Sequence, residues 1–328
     1  MTETIERDGT ARVQPATVGS RLLSVGAALP DDVLTNRDFE AMFDTSDEWI
    51  RTRTGIAERR VGSTTTELAI RAGRQALERS GLDPDLIDLV IVATQTPDDL
   101  CPSTAAGVQH ALDLTCAAFD LNAACAGFSY GVVTAHSLLQ TGTRAALIIG
   151  VDRMTAATNY EDRSTAILFG DGAGAVVLQA SSSAERGVQA WDTGTDGSRP
   201  DILASPIKDR VITGVEMDGK AVFKHMVRYV EQSAAAAVKR AGLTFDDITV
   251  VLAHQANQRI LDTVADRLEV DRSKFVSVIE WTGNTSAGSV PLALDHAVGD
   301  GRVNPGDNLL LLGFGGGLSW ASTVAVWQ

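Results

Sequence analysis

The sequence predicts a layered α/β protein built from two halves of the same plan. Three observations lead there: a weak internal repeat, strand-like segments alternating with helix-like ones, and strands that read as unbroken apolar runs. The repeat shows where Ala76–Gln95, ALERSGLDPDLIDLVIVATQ, is set beside Ala237–Gln255, AVKRAGLTFDDITVVLAHQ. Each copy reads as a helix end, a Gly-Leu stop, an acidic turn and a β-branched strand. Gly81 aligns with Gly242, and Ala93 with Ala253.

Taken in order, residues 1–17 are polar and charged with no apolar core, a flexible extension rather than a secretory signal. The first half runs over residues 18–180. After the strand of the repeat comes a second, ending in Phe119–Ala123, then a small-residue turn and an apolar helix Phe128–Leu139 closed near Gly142. A strand Ala145–Gly150 follows. Ser181–Ser183 is the expected joint, and the second half runs over 185–328. There a strand around Phe275–Ile279 precedes a Gly-Asn turn, a helix near Pro291–Val298 closed near Gly301, and a strand Asn308–Gly313. At an offset of 159 Cys125 falls on Asn284, and Gly142 on Gly301.

Composition narrows the function. The 328 residues are 44% apolar and 21% charged, as in an ordinary globular protein. No run approaches the roughly 18 apolar residues of a membrane span. A formal net charge of −14 argues against nucleic acid, which needs a basic surface; an acidic partner would need a local basic patch. Three cysteines cannot form a paired framework, and with no export signal a reducing cytoplasm fits.

In layered α/β folds chemistry gathers beyond the carboxyl ends of the strands. Thr94–Thr96, Cys125, His254 and Asn284 all fall there. Cys125 lies in Asn122-Ala-Ala-Cys-Ala-Gly-Phe, at a strand-to-helix turn, where small neighbours admit a substrate and the helix dipole is expected to lower the thiol pKa. A lone cysteine is more often a buried gap-filler, and Cys101 and Cys116 keep that reading. His254 follows a strand and suits work on a thioester carbonyl or the thiol proton; alone it would pass as a loop histidine. Asn284, in Gly283-Asn-Thr-Ser-Ala-Gly, would pass as a turn residue, but its match to Cys125 turns its amide to the same cavity. An amide and an imidazole N–H together stabilise an enolate on a thioester oxygen.

The stretch Leu312-Gly-Phe-Gly-Gly-Gly-Leu-Ser-Trp follows a strand and is too rich in glycine for packing alone. Its backbone N–H groups, with that of Cys125, suit an oxyanion hole. Phosphate-loop patterns are absent, and no Cys/His cluster suggests a metal.

At these residues the chain resembles the thiolase superfamily and, within it, the β-ketoacyl-[acyl carrier protein] synthase III family. The resemblance rests on Asp44-Thr-Ser-Asp-Glu-Trp-Ile-Arg-Thr-Arg-Thr-Gly-Ile, Ala123-Ala-Cys-Ala-Gly-Phe, Phe169-Gly-Asp-Gly-Ala-Gly-Ala, His254-Gln-Ala-Asn-Gln-Arg, Gly283-Asn-Thr-Ser and Phe314-Gly-Gly-Gly, in that order. It implies a five-layered αβαβα sandwich and a homodimer. It implies that Cys125 takes an acyl primer from acyl-CoA, and that His254 and Asn284 bind a malonyl thioester on acyl carrier protein as carbon dioxide leaves. Gly316 would share the oxyanion hole with Cys125. Trp49 and Arg53 match positions that bracket the CoA adenine, and Asn257 and Arg259 positions along the pantetheine tunnel. Lys224, Arg259 and Arg267 match the carrier-protein patch. No cofactor or metal is implied.

Three positions depart from the family pattern. Asp266 stands where a basic residue is common, Ala156 replaces another basic position, and Cys101 stands where many members place a bulky aromatic at the acyl pocket. Cys101 there is expected to admit longer or branched primers. A degradative thiolase would need a second reactive cysteine, and none follows Cys125. A hydroxymethylglutaryl-type synthase would need a carboxylate base. Starter loading or acyl transfer in a polyketide pathway is the competing reading within the family, and a catalytically silent partner subunit the one outside it.

Overall fold

The computed structural model describes residues 19–182, 187–208 and 211–328. The extension 1–17, and Ser183 of the expected joint, lie outside them.

Two mixed sheets form the frame. The first contains β1 (Gly19–Ala28), β2 (Ile87–Ala93), β3 (Ala117–Leu121), β4 (Ala145–Arg153) and β5 (Asp171–Ser181), in the order β1-β5-β4-β2-β3. The second contains β6 (Gly187–Thr195), β7 (Val250–Ala253), β8 (Asn308–Gly315) and β9 (Ser319–Val326), in the order β7-β8-β9-β6. In both, the inner pairs β2–β4 and β7–β8 are parallel while the remaining strands of the matching set, β5 and β1 or β9 and β6, run antiparallel. β2, β4, β5 and β1 thus correspond to β7, β8, β9 and β6.

The counterpart of β3 is where the expectation fails. The predicted strand Phe275–Ile279 makes one bridge, Phe275 to Val251, and turns at Ile279 into the short helix Ile279–Thr282. The cause is Gln255. Its buried amide donates to the Val276 carbonyl (3.1 Å) and accepts from the Val278 N–H (2.9 Å), capturing backbone groups that a longer ladder would use.

Helices fill the other three layers. Outside the first sheet lie α2 (Thr65–Ser80), which packs on β1, β5 and β4, and α3 (Thr104–Ala111). A capping box between Thr64 and Glu67 starts α2, and Gly81 in the left-handed region stops it. Between the sheets lie α4 (Gly127–Leu139) and α7 (Ser289–Gly299), each touching strands of both. Their apolar sequences follow from this, because a helix enclosed by two sheets has no wet face. Outside the second sheet lie α5 (Gly219–Arg240) and α6 (Gln258–Leu268). A further helix, α1 (Asp47–Thr54), precedes all of these in sequence. The result is the αβαβα stack that the resemblance implied.

One core cluster joins the halves: Leu22, Ile91, Phe128 and Ile148 pack with Leu252, Val290, Leu309 and Leu311 between the sheets. Close approach depends on small residues. A Cβ on Gly150 would stand 2.2 Å from the Ala287 carbonyl oxygen, so only glycine lets β4 touch the turn that opens α7. Among the described residues no helix is long and apolar enough to cross a membrane.

Candidate active site

Cys125 sits in the 3-10 turn Ala124–Ala126 between β3 and α4, 9% exposed. Ala124 before it takes φ +47°, a left-handed conformation that aims the cysteine at the second half. There β8 comes very close: a Cβ on Gly315 would meet the Cys125 Cβ at 2.7 Å. The N–H groups of Cys125 and Gly316 both point at the sulphur. Two N–H donors around one nucleophile are the makings of an oxyanion hole.

His254 extends β7 by one residue, its N–H bonded to the Leu312 carbonyl at 2.8 Å. Its ring meets Phe314 edge-on, and Nδ1 lies 2.7 Å from Ser289 Oγ. Asn284 is fixed by its backbone, which bonds to Leu168 and Gly170, and by its Oδ1, which accepts the Ser286 N–H at 2.9 Å. Only the oxygen can accept from an N–H, so the amide's orientation is settled and Nδ2 remains as the donor edge.

Electrostatics corrects one expectation. The thiol of Cys125 is pushed up to about 12, not down, because burial outweighs every other influence. The nearby Asp152 charge adds to this; the Ser286 hydroxyl and the two N–H groups oppose it. α4 begins only at Gly127, and a helix-terminus effect of about 1 kcal/mol is smaller than the cost of burying a thiolate. Burial likewise pulls His254 down to about 3, so the imidazole is neutral at pH 7.

Sequence reading missed Asp152, a fully buried residue at the end of β4. Its Oδ1 accepts from Thr94 Oγ1 and Thr96 Oγ1 and from the N–H groups of Gln95 and Thr96, at 2.8–3.1 Å. Oδ2 accepts from Ala287 N–H at 3.2 Å. Burial pushes the carboxyl pKa up, but all these partners are donors, so the geometry is that of a carboxylate. Asp152 thereby ties β2 and β4 to the turn that follows Asn284. Ser286 and Ser289 were missed too; both look like ordinary turn serines until the fold brings them to Cys125 and His254.

Cys125, His254, Asn284 and Gly316 line one cavity of about 830 Å³, the size of a small-molecule cleft. Met154, Leu168, Phe169 and Val215 give it an apolar wall. Arg53, Asn257 and Arg259 line it as well, together with Lys220, which sequence reading did not single out. Asn257 caps α6 through Oδ1 and donates from Nδ2 to the Arg53 carbonyl at 3.0 Å. The Arg53 guanidinium lies 4.2 Å over the Trp49 ring, and Arg163 lies 4.8 Å from it. At that distance the Arg53 guanidinium and the Trp49 indole are in direct contact.

Lys224 is exposed on α5, and Arg267 is exposed on α6 with Glu231 3.7 Å away. Asp266 is held by Arg272 at 2.7 Å, and Ala156 is exposed. Cys101 does not line the cavity of its own chain; it is exposed. Its loop is anchored to the outer layer, where Asp98 accepts from the Thr65 and Thr66 N–H groups opening α2 and Ser103 caps α3. Within the single chain Cys101 therefore stands apart from the cavity that holds Cys125. Among the described residues no cluster of His, Cys, Asp and Glu could hold a metal ion.

Comparison with known proteins follows the same residues. The family described as 3-oxoacyl-[acyl-carrier-protein (ACP)] synthase III matches residues 119–197, and its C-terminal counterpart matches 238–327. The β-ketoacyl-[acyl-carrier-protein] synthase III 1 of Bacillus anthracis is 43% identical over 311 residues, which cover 93% of this chain and 98% of that protein. The chain belongs to the β-ketoacyl-[acyl-carrier-protein] synthase III family. As a synthase III it is a condensing enzyme of the acyltransferase class. Among solved structures it resembles the synthase III of Aquifex aeolicus VF5, with a TM-score of 0.90, 39% identity, and 94% and 100% of the two chains covered. The priming β-ketosynthase of the R1128 polyketide pathway is similar at a TM-score of 0.91 and 38% identity, covering 98% and 99%.

Proposed function

We propose that this synthase III initiates fatty acid synthesis by condensing an acyl-CoA primer with malonyl-acyl carrier protein, with Cys125, His254 and Asn284 as its catalytic residues. One observation carries the reading. A nucleophile from one half and two donors from the other line a single cavity, although the chain separates them widely.

In the first step Cys125 Sγ attacks the primer thioester, and the N–H groups of Cys125 and Gly316 hold the tetrahedral oxyanion. Coenzyme A leaves as its thiol. In the second step the malonyl thioester oxygen lies against His254 and Asn284 Nδ2. The tautomer with its proton on Nε2 would donate to that oxygen, with Nδ1 accepting from Ser289 once that hydroxyl turns from the Ser286 carbonyl, to which it donates at 2.8 Å. Carbon dioxide leaves, and the carbanion attacks the acyl-Cys125 carbonyl to give a 3-oxoacyl product. A neutral His254 is the form that suits this role, a donor that leaves the negative charge on substrate oxygen. Every step is supplied by side chains and backbone, with no cofactor or metal called on.

Arg53, Asn257 and Arg259 would take the CoA and pantetheine arm along the cavity, with Trp49 behind Arg53 at the adenine end. Lys224, Arg259 and Arg267 would receive the acidic carrier protein, on exposed faces of two neighbouring outer helices. A homodimer is supported by the open edge of β3, where Phe119 is 37% exposed, and by Leu100 at 96% on the adjoining loop. The free cysteines suit a cytoplasmic location.

The test is to incubate the chain with a panel of acyl-CoAs, then malonyl-acyl carrier protein, and to follow adducts and products by mass spectrometry. Acylation at Cys125, absent in Cys125→Ala, followed by a 3-oxoacyl product, is expected. No adduct from any donor would refute the nucleophile. The polyketide priming structure keeps a second reading open, starter loading or acyl transfer, which predicts acylation without condensation.

A further inference from the structure

The turn that follows Asn284 brings one hydroxyl to the nucleophile. Ser286 Oγ lies 3.3 Å from Cys125 Sγ, and both are buried. Gln95 Nε2 donates to the same oxygen at 2.9 Å. An amide N–H occupies an acceptor site of the hydroxyl, so its single proton is directed away, toward the sulphur or toward the Asp152 carboxylate, which the hydroxyl also reaches. Ser286 also holds φ +50°, a left-handed conformation that costs a side-chain-bearing residue about 1 kcal/mol or more and glycine little. A strained residue whose side chain ends on a nucleophile is placed there by what that side chain does.

We propose that Ser286 is a further catalytic residue, donating its hydroxyl proton in a hydrogen bond to the Cys125 thiolate. The proposal rests on Cys125 being the acylated nucleophile. In acyl transfer the Cys125 thiol gives its proton to water, Sγ bonds to the acyl carbonyl carbon, the bond from that carbon to the donor sulphur breaks, and the leaving thiolate takes a proton back from water. The Cys125 sulphur is anionic as it attacks and again when the carbanion expels it. Ser286 supports the charge at both moments without giving up its proton. Between them the neutral thioester sulphur accepts weakly, and Asp152 takes the bond.

The same donor makes the free thiolate more accessible, which a small alkylating agent reads without any acyl substrate. The charged and titratable groups around the sulphur are Asp152 and His254, with Arg53, Asp218, Lys220 and Arg259 lining the same cavity. All are retained in the two variants Ser286→Ala and Ser286→Gly. Iodoacetamide labelling of the full chain would be followed by intact mass over about pH 7 to 10. Loss of a hydrogen bond to a charged group predicts labelling about tenfold slower in both variants, the rate curve moving to higher pH. Alanine keeps the strained backbone and glycine relieves it, so a backbone effect would separate the two. Either variant labelling at the wild-type rate overturns the proposal. Wild-type chain that labels normally yet takes no acyl group from any acyl-CoA would instead overturn the proposed function.

Discussion

At His254 burial withholds the proton that a solvated imidazole would bind below about pH 6.5. Desolvation disfavours the charged form of a base, so protonation needs a lower pH, about 3. Condensation measured as kcat/KM for malonyl-acyl carrier protein is therefore expected to show no inflection near pH 6.5. An inflection there that vanishes in His254→Asn would show that the imidazole titrates in the working range. At this scale the sequence was informative about some residues and blind to others. Cys125 and His254 could be singled out because each follows a strand, and Asn284 because it stands in a Gly-Asn turn among small and polar residues. Ser286 and Asp152 were not, since a turn serine and an aspartate ending an apolar strand carry no local sign of their partners. The thiol's upward shift was hidden as well: the helix that favours a thiolate can be read from the chain, but the burial that opposes it depends on the other half.

Among the elements, the meeting of β4 with the turn before α7 governs the site. Gly150→Ala would push a Cβ toward the Ala287 carbonyl (2.2 Å) and the Phe128 Cβ (2.9 Å), wedging the turn that carries Asn284 away from the helix behind Cys125. Overpacking of this kind is expected to cost about 1–3 kcal/mol, read as a lower urea midpoint, with a fall in condensation rate. A variant with unchanged midpoint and rate would show that the contact is soft. The strands themselves were legible from apolar runs, and α2 from its cap and its glycine stop. The strand Phe275–Ile279 was misjudged because its pattern is β-like, while its backbone groups are taken by a glutamine about twenty residues earlier in the chain. Cys101 stands apart from the cavity of its own chain for a related reason. Register gives a residue's neighbours in sequence, not the side of the molecule its loop faces.

Over the whole molecule the net charge is −14, so an acidic carrier protein would have to meet it at the proposed patch of Lys224, Arg259 and Arg267. Lys224→Glu with Arg267→Glu is expected to raise the KM for malonyl-acyl carrier protein by about tenfold at low salt, and the gap should narrow as salt is added. Steady-state kinetics at two ionic strengths would check it; a KM unmoved at low salt would place docking elsewhere. The duplication was the most legible feature of all. A repeat too weak to align residue by residue still matched helix stops and strand starts, because both halves solve the same packing problem. What it left hidden was how the halves interlock, which depends on contacts such as Leu22 with Trp327 at opposite ends of the chain.

The glycines that complete the sulphur's surroundings belong to β8 and the turn after it, in the opposite half of the chain from Cys125. During synthesis Cys125 emerges more than half a chain-length before Gly315 and Gly316. Until they arrive the cysteine has neither its covering strand nor its second N–H donor. A chain without those residues is expected to lack both that cover and that donor. The surroundings of Cys125 are whole only when β8 has closed over a residue made long before it.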